Sequence, residues 1–186
     1  YKLLPQLIEF FPEKINTFVD LFSGGFNVGI NVDCNKVICN DMNTFIIDLY
    51  KELYSKPIDE TLNKITGRIN EYGLSKENEE AFKKFRDYYN KTKEPIDLYT
   101  LSCYSFNYQF RFNNNKEYNN PFGRNRSQFS DNMKSNLILF TEKLKSMNVE
   151  FLSEPFDKVD LSKLNNEDFV YCDPPYLITT GSYNDG

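Results

Sequence analysis

Residues 15–41 read INTFVDLFSGGFNVGINVDCNKVICND. The opening INTFVDLF is apolar and β-prone and runs into the turn signal SGG, which predicts a buried strand ending at a glycine turn. FNVGINV predicts a short helix that returns the chain. KVICND predicts a second strand closing on an acid, Asp41. NTFIIDLYKELYS then follows at helical spacing, with Phe45, Ile46, Leu49, Tyr50 and Leu53 on one apolar face. Strand, helix, strand and helix with short connections predict a parallel α/β sheet.

Working outward, KLLPQLIEFF (residues 2–11) has helical apolar spacing and is stopped by Pro12. Residues 57–95 are charge-rich and read as helices, as in ENEEAFKKFRDYY. Residues 98–130 turn aromatic, Asn-rich and locally basic, and 131–147 return to an amphipathic helix. VEFLSEPF predicts a short strand and DFVYCDPPY the last one. The expected organisation is a cofactor-binding part at 1–54, an inserted recognition region at 55–147 and a catalytic strand at 148–186.

The bulk composition sets limits. The chain has 186 residues, 40% hydrophobic and 26% charged, enough for one domain with its own core. No apolar run reaches the roughly 20 residues that span a bilayer, and the start lacks a small-residue cleavage site. Cys34, Cys39, Cys103 and Cys172 fit neither a zinc pair nor a disulfide framework, so reduced and mostly buried thiols in the cytoplasm are expected. There is no histidine, which removes histidine bases, Ser-His-Asp hydrolysis and histidine metal ligands together; no metal is expected. Thirteen Tyr and 17 Phe supply flat rings for a core or for stacking on bases. The net charge of −5 argues against non-specific nucleic-acid affinity, so local charge matters more.

VDLFSGGFNVG puts glycines between a strand and a helix, where a ligand can approach the backbone. Asp41 lies 17 residues beyond Gly24 and closes the second strand. An acid there accepts from ribose hydroxyls in doubly wound sheets. It equally suits a cap for the helix beginning near Asn43, and both roles can coexist. The pattern is not GxGxxG, and Asp20 at the strand end would repel a pyrophosphate. An acid beside the turn suits a ligand with an ammonium or sulfonium group, which favours S-adenosylmethionine over a nicotinamide dinucleotide.

The second constellation is Asp173-Pro174-Pro175-Tyr176, directly after Phe169-Val170-Tyr171-Cys172. Strand ends in α/β sheets are where ligands bind. Two prolines stiffen the exit and remove two N–H donors, leaving carbonyl acceptors beside the Asp173 carboxyl. Such acceptors suit an exocyclic amine, and Tyr176 offers a face for a base drawn out of the duplex.

DPPY at a strand end resembles the catalytic motif of amino-methyltransferases. The order FSGG, an aromatic insert and DPPY resembles the Dam-like, alpha-group (D12 class) DNA adenine-N6 methyltransferases. LLPQLIEFFP resembles that family's opening helix, NDMN its second-strand region, and NKEYNNPFGR its GEFNVPFGR stretch. The family turn reads FxGxG, whereas this chain has Phe22-Ser23-Gly24-Gly25-Phe26. The resemblance implies a Rossmann-like S-adenosylmethionine-dependent sheet with an inserted helical and β-hairpin target-recognition region. It implies a flipped adenine stacked on Tyr176, with Asp173 and the Pro174 carbonyl on its N6 amine and Pro175 stiffening the turn. It further implies a cofactor held by Asp20, Phe22, Ser23, Gly24, Gly25, Asp41 and Asp173. A prokaryotic or phage origin, a restriction-modification system and a cognate restriction endonuclease also follow from it.

Residues 99–126 carry Arg111, Lys116, Arg124 and Arg126 against Glu117, a basic patch on an acidic chain. YSFNYQFRFN, an Asn-rich turn and KEYNNPF predict a β-hairpin, a ribbon that can enter a DNA groove. By resemblance, Phe106 and Asn107 fill the gap left by flipping, Arg111 reads a guanine, and Gln109 and Pro121 lie on the reading surface. Arg124 and Arg126 suit phosphates. The GATC readers of the family carry NGLxR where this chain has Asn107-Tyr108-Gln109-Phe110-Arg111, so a different target sequence is expected.

The family's sheet continues for about three strands beyond DPPY, and here only ten residues follow. The chain is therefore read as a fragment lacking the C-terminal strands. The competing readings are a non-catalytic DNA-binding specificity module and an amino-methyltransferase acting on RNA or protein. A nicotinamide-dependent enzyme is more distant, because no pyrophosphate fingerprint is present.

Overall fold

The computed structural model describes residues 3–174; Pro175 and Tyr176 lie outside the described residues. Among those described, 3–47 with 140–174 form one compact unit and 48–139 a second, the division falling within two helices.

The first unit holds four parallel strands: β1 (Thr17–Asp20), β2 (Lys36–Asn40), β3 (Val149–Leu152) and β4 (Phe169–Tyr171). Their spatial order is β3-β2-β1-β4, with Asp20 level with Cys39 on one side and Tyr171 on the other. The chain steps outward from β1 through β2 to β3, then returns to the far side of β1. The order therefore reverses between β1 and β4, where open α/β sheets form a ligand crevice beyond their carboxyl ends.

Alternation along β1 buries both faces, as parallel strands require. Val19 and Leu21 pack with Val159 and Val170 on one side. On the other, the Phe18 ring stacks on Phe169 at 5.9 Å, and Phe11 covers both from just beyond the first helix, α1 (Leu4–Ile8). That helix is shorter than the predicted 2–11. Pro5 opens it, and the chain leaves it through hydrogen bonds from Phe10 to Leu7 and Phe11 to Ile8, which place Phe11 on the sheet. The helix expected at FNVGINV is reduced to one 3₁₀ turn, Gly29–Asn31, because Gly24 (φ +46°) and Phe26 (φ +55°) bend the chain first.

The predicted amphipathic helix is α2 (Thr44–Ser55); Ile46, Ile47, Leu49, Tyr50 and Leu53 are buried, while Phe45 is half-buried. Asn43 starts it by accepting the Phe45 N–H at 3.1 Å.

The second unit packs α3 (Ile58–Tyr72), α4 (Glu79–Thr92) and α5 (Pro95–Cys103). Gly73, at φ +68°, ends α3, and the Asn78 side chain caps α4. Ala81, Phe82, Phe85 and Tyr89 form the buried face of α4. Asp97, fully buried on α5, pairs with Arg68 at 3.1 Å. The last helix, α6 (Asp131–Ser146), leads into β3.

The predicted hairpin is not a ribbon. Residues 99–103 belong to α5, Phe106–Tyr108 make a 3₁₀ turn, and pairing shrinks to two isolated antiparallel bridges, Ser105 with Phe122 and Phe112 with Tyr118. Asn107 and Tyr108 have φ of 53° and 56°, which breaks any extended strand. Side chains take over the bonding. The Asn120 amide donates to the carbonyls of Phe106 (2.9 Å) and Gln109 (3.1 Å). The Tyr118 hydroxyl lies 2.7 Å from Ser105 Oγ and 2.8 Å from the Gln109 carbonyl. The thiols also differ from expectation: Cys39 and Cys103 are buried, Cys34 is half-buried and Cys172 is exposed, all four free.

Candidate functional site

At the β1/β4 crevice a cavity of about 160 Å³ opens. Asp20 lines it from the end of β1, Phe22, Ser23, Gly24 and Gly25 from the turn, and Tyr171 and Asp173 from the exit of β4. Six of the seven residues expected around a cofactor thus meet in one place. The seventh, Asp41, stands behind the turn, its Oδ2 accepting the Gly24 N–H at 2.8 Å.

The turn is anchored on both sides. Leu21 N–H donates to the Tyr171 carbonyl at 3.1 Å and Ser23 N–H to the Asn40 carbonyl at 2.9 Å. Asp41 Oδ1 accepts the Asn43 N–H at 2.8 Å. One carboxylate therefore fixes both the glycine turn and the entry to α2. Each of its oxygens keeps a second lone pair for another donor.

Asp20 is 2% exposed, and the Gly29 N–H donates to its Oδ2 at 3.0 Å. A Cβ on Gly29 would run into Phe26 and Asp20, so only glycine lets that backbone approach. Burial pushes the Asp20 carboxyl up to about 7, against the lowering effect of the Gly29 hydrogen bond, and the nearby Asp41 and Asp173 raise it further. Asp173, on the rim, is exposed, as is Pro174 after it.

Several contributors escaped the sequence reading. Asn27 and Val28 also line the cavity. Asn40, 1% exposed, ties three segments together: its amide donates to the Leu21 and Glu154 carbonyls, and its Oδ1 accepts the Glu154 N–H, each at 3.0 Å. Met42 and Phe156 expose large apolar side chains just beyond β2 and β3, and Phe156 lies 5.5 Å from the Phe22 ring. The signal for the last two was an apolar residue placed after a strand exit instead of within the strand.

The residues expected on DNA lie in the second unit. Phe106, Asn107, Tyr108, Gln109, Pro121 and Arg126 are exposed. The Pro121 carbonyl accepts the Phe106 N–H at 2.8 Å, and the Arg126 guanidinium sits 5.7 Å over the Phe106 ring. Arg111 is half-buried, its carbonyl accepting the Asn119 N–H. Arg124 is engaged by Glu79 at the start of α4. Within NNPFGR, Asn120 holds the loop, Phe122 packs on Phe82 at 5.4 Å, and Gly123 sits where a Cβ would collide with Ser127 and the Ser105 carbonyl. That stretch is largely the frame of the loop.

A profile described as D12 class N6 adenine-specific DNA methyltransferase matches residues 1–185. The chain belongs to that family. Its relatives include the type II methyltransferase M.FokI of Planomicrobium okeanokoites, 62% identical over the whole chain. Modification methylase StsI of Streptococcus sanguinis is 55% identical, also over the whole chain. The DNA adenine methylase of Escherichia coli K12 is 29% identical over 99% of the chain and 64% of that enzyme. The chain spans 29% and 28% of the lengths of the first two. Within this D12 family member, the glycine turn and Asp173, separated by about 150 residues of sequence, come together on one cavity. No helix among the described residues is long and apolar enough to cross a membrane.

Proposed function

We propose that the protein transfers a methyl group from S-adenosylmethionine to the N6 amine of adenine in duplex DNA, as the modification enzyme of a restriction-modification system. The observation that carries this reading is the cavity at the strand-order reversal, with Asp20 and the glycine turn on one wall and Asp173 on its rim. S-adenosylmethionine would supply the methyl group. Asp41, already fixed by two backbone donors, has lone pairs left for ribose hydroxyls. Met42 and Phe156 offer apolar faces for the adenine ring of the cofactor. Ser23 to Gly25 permit close approach of its methionine end.

Asp173 and the Pro174 carbonyl accept the two N6 hydrogens of a flipped adenine, and Tyr176 stacks on the base. Holding nitrogen and methyl in line makes the step effectively intramolecular, a large saving open to a chain that has no histidine. The exposed Phe106–Gln109 segment, with Pro121 and Arg126, meets the duplex. Arg111 reads a base and Arg124 contacts phosphate after exchanging Glu79 for it. The enzyme works in the cytoplasm of a prokaryotic or phage-infected cell beside a cognate endonuclease. Incubating full-length protein with S-adenosylmethionine and a randomised duplex library, followed by nucleoside analysis, tests the reading. N6-methyladenine in one sequence context is expected. Methylation confined to RNA or protein, or none at all, refutes it.

A further inference from the structure

Three carboxylates, Asp20, Asp41 and Asp173, face the cavity or its wall, and none of its described lining residues is basic. Asp20 differs from the other two. It lies at the end of a strand flanked on both sides, is 2% exposed, and among the described residues only the Gly29 N–H reaches it. The ionisable neighbours facing it are Cys39 of β2 with Asp41 just beyond it, and Tyr171 of β4 with Asp173 beyond that strand's end, none of them cationic. The same cavity is lined by Ser23, 7% exposed, whose hydroxyl lies beside the Cys39 thiol. A buried carboxyl with no cation beside it keeps a proton; a cation entering the cavity reverses the preference.

We infer that Asp20 sets the charge specificity of the cofactor site: it is protonated while the cavity is empty and releases that proton when a sulfonium- or ammonium-bearing ligand enters. Capture of the methyl donor and loss of one proton to solvent are then a single event. After transfer the sulfonium has become a neutral thioether, one positive charge fewer faces Asp20, and a proton from solvent returns as the product leaves. Burial, which pushes the Asp20 carboxyl up to about 7, places this exchange in the physiological range. The inference rests on the cofactor reading proposed above.

Isothermal titration of the full-length protein with S-adenosylmethionine, in phosphate and in Tris between pH 6 and 8, tests it. The two buffers differ in ionisation heat, so the proton count is read directly. The dissociation constant should tighten about tenfold from pH 6 to pH 8, with about 0.9 proton released per site at the lower pH and about 0.1 at the upper. Asp20→Asn keeps an oxygen for the Gly29 N–H and should abolish both the pH dependence and the proton release. Binding by the wild type with no proton release and a flat pH profile overturns the inference and leaves the cofactor reading intact. So does a variant that retains both effects. No binding at any pH sinks the cofactor reading and the inference together. If Asp20→Asn fails to fold, the wild-type proton count decides alone.

Discussion

Replacing Asp41 by alanine separates two functions that meet in one carboxylate. In the structure Oδ2 accepts from Gly24 N and Oδ1 from Asn43 N, each at 2.8 Å. Hydrogen bonds to a charged acceptor contribute about 1.5–3 kcal/mol each. Both donors are part-buried and can meet water once the side chain is gone, so the pair should sum to the low end, about 3 kcal/mol. That loss is local to the turn and the start of α2. The fitting assay is hydrogen exchange without ligand, which reports local opening even in a multidomain protein. About 3 kcal/mol corresponds to roughly 100-fold faster exchange of the Gly24 and Asn43 amides. Asp41→Asn retains one acceptor oxygen and should fall between. S-adenosylmethionine affinity should drop in both variants. Unchanged protection at both amides with weakened cofactor binding would refute the anchoring role. Lost protection with unchanged affinity would refute the ribose role.

Asp20 makes a second test through stability. Its folded value of about 7 exceeds the ordinary 3.8, so its contribution is complete below the unfolded value and is lost as pH rises through about 7. Asp20→Asn should therefore be more stable than wild type at pH 8, by at most about 4 kcal/mol, with the advantage shrinking as pH falls from about 7 and gone only below the ordinary value of 3.8, as read from urea midpoints. Tyr118→Phe removes a buried hydroxyl from Ser105 Oγ and the Gln109 carbonyl. It should cost about 1–3 kcal/mol and raise hydrogen exchange across 105–120, whereas exchange confined to residue 118 would make the bond incidental. Arg111→Ala should relax sequence choice by about 1–3 kcal/mol, while Arg126→Ala should weaken all duplexes alike and flatten the salt dependence. Competition binding with matched and mismatched duplexes separates the two, and equal losses across sequences for Arg111→Ala would remove it from base reading.

The α/β sheet was legible because INTFVDLF, KVICND and DFVYC are apolar runs with abrupt polar exits, and only buried parallel strands tolerate that pattern. The turn was legible because Ser23-Gly24-Gly25 punctuates it. Residues 99–126 misled for a physical reason. Their alternating aromatics mimic a strand, yet the backbone carbonyls are satisfied by Asn120 and Tyr118 from nine or more residues away, and Asn107 and Tyr108 turn left-handed. Alternation alone cannot reveal a side chain that replaces a ladder. Asn40 was opaque for a similar reason, since its partner Glu154 is 114 residues distant. Met42 and Phe156 lie past the strand ends, and only their exposure in the structure sets them apart from core residues. The sequence suits Asp41 to a ribose ligand or a cap, and the structure shows the local role: its two oxygens accept the Gly24 and Asn43 N–H groups.

The most direct test of the proposed chemistry is single-turnover methyl transfer to a duplex bearing the preferred site, comparing wild-type full-length protein with Asp173→Asn. Asn keeps the size of the side chain but replaces a charged acceptor with a weaker one. The transfer rate should fall about 10²–10³-fold, the scale for losing one preorganised partner of developing charge, while S-adenosylmethionine affinity changes far less. If full-length protein carries a second methyltransferase site, the strand bearing this target adenine must be the one scored. A near-normal rate there for Asp173→Asn would make DPPY a strand exit with no part in the chemistry and contradict the account.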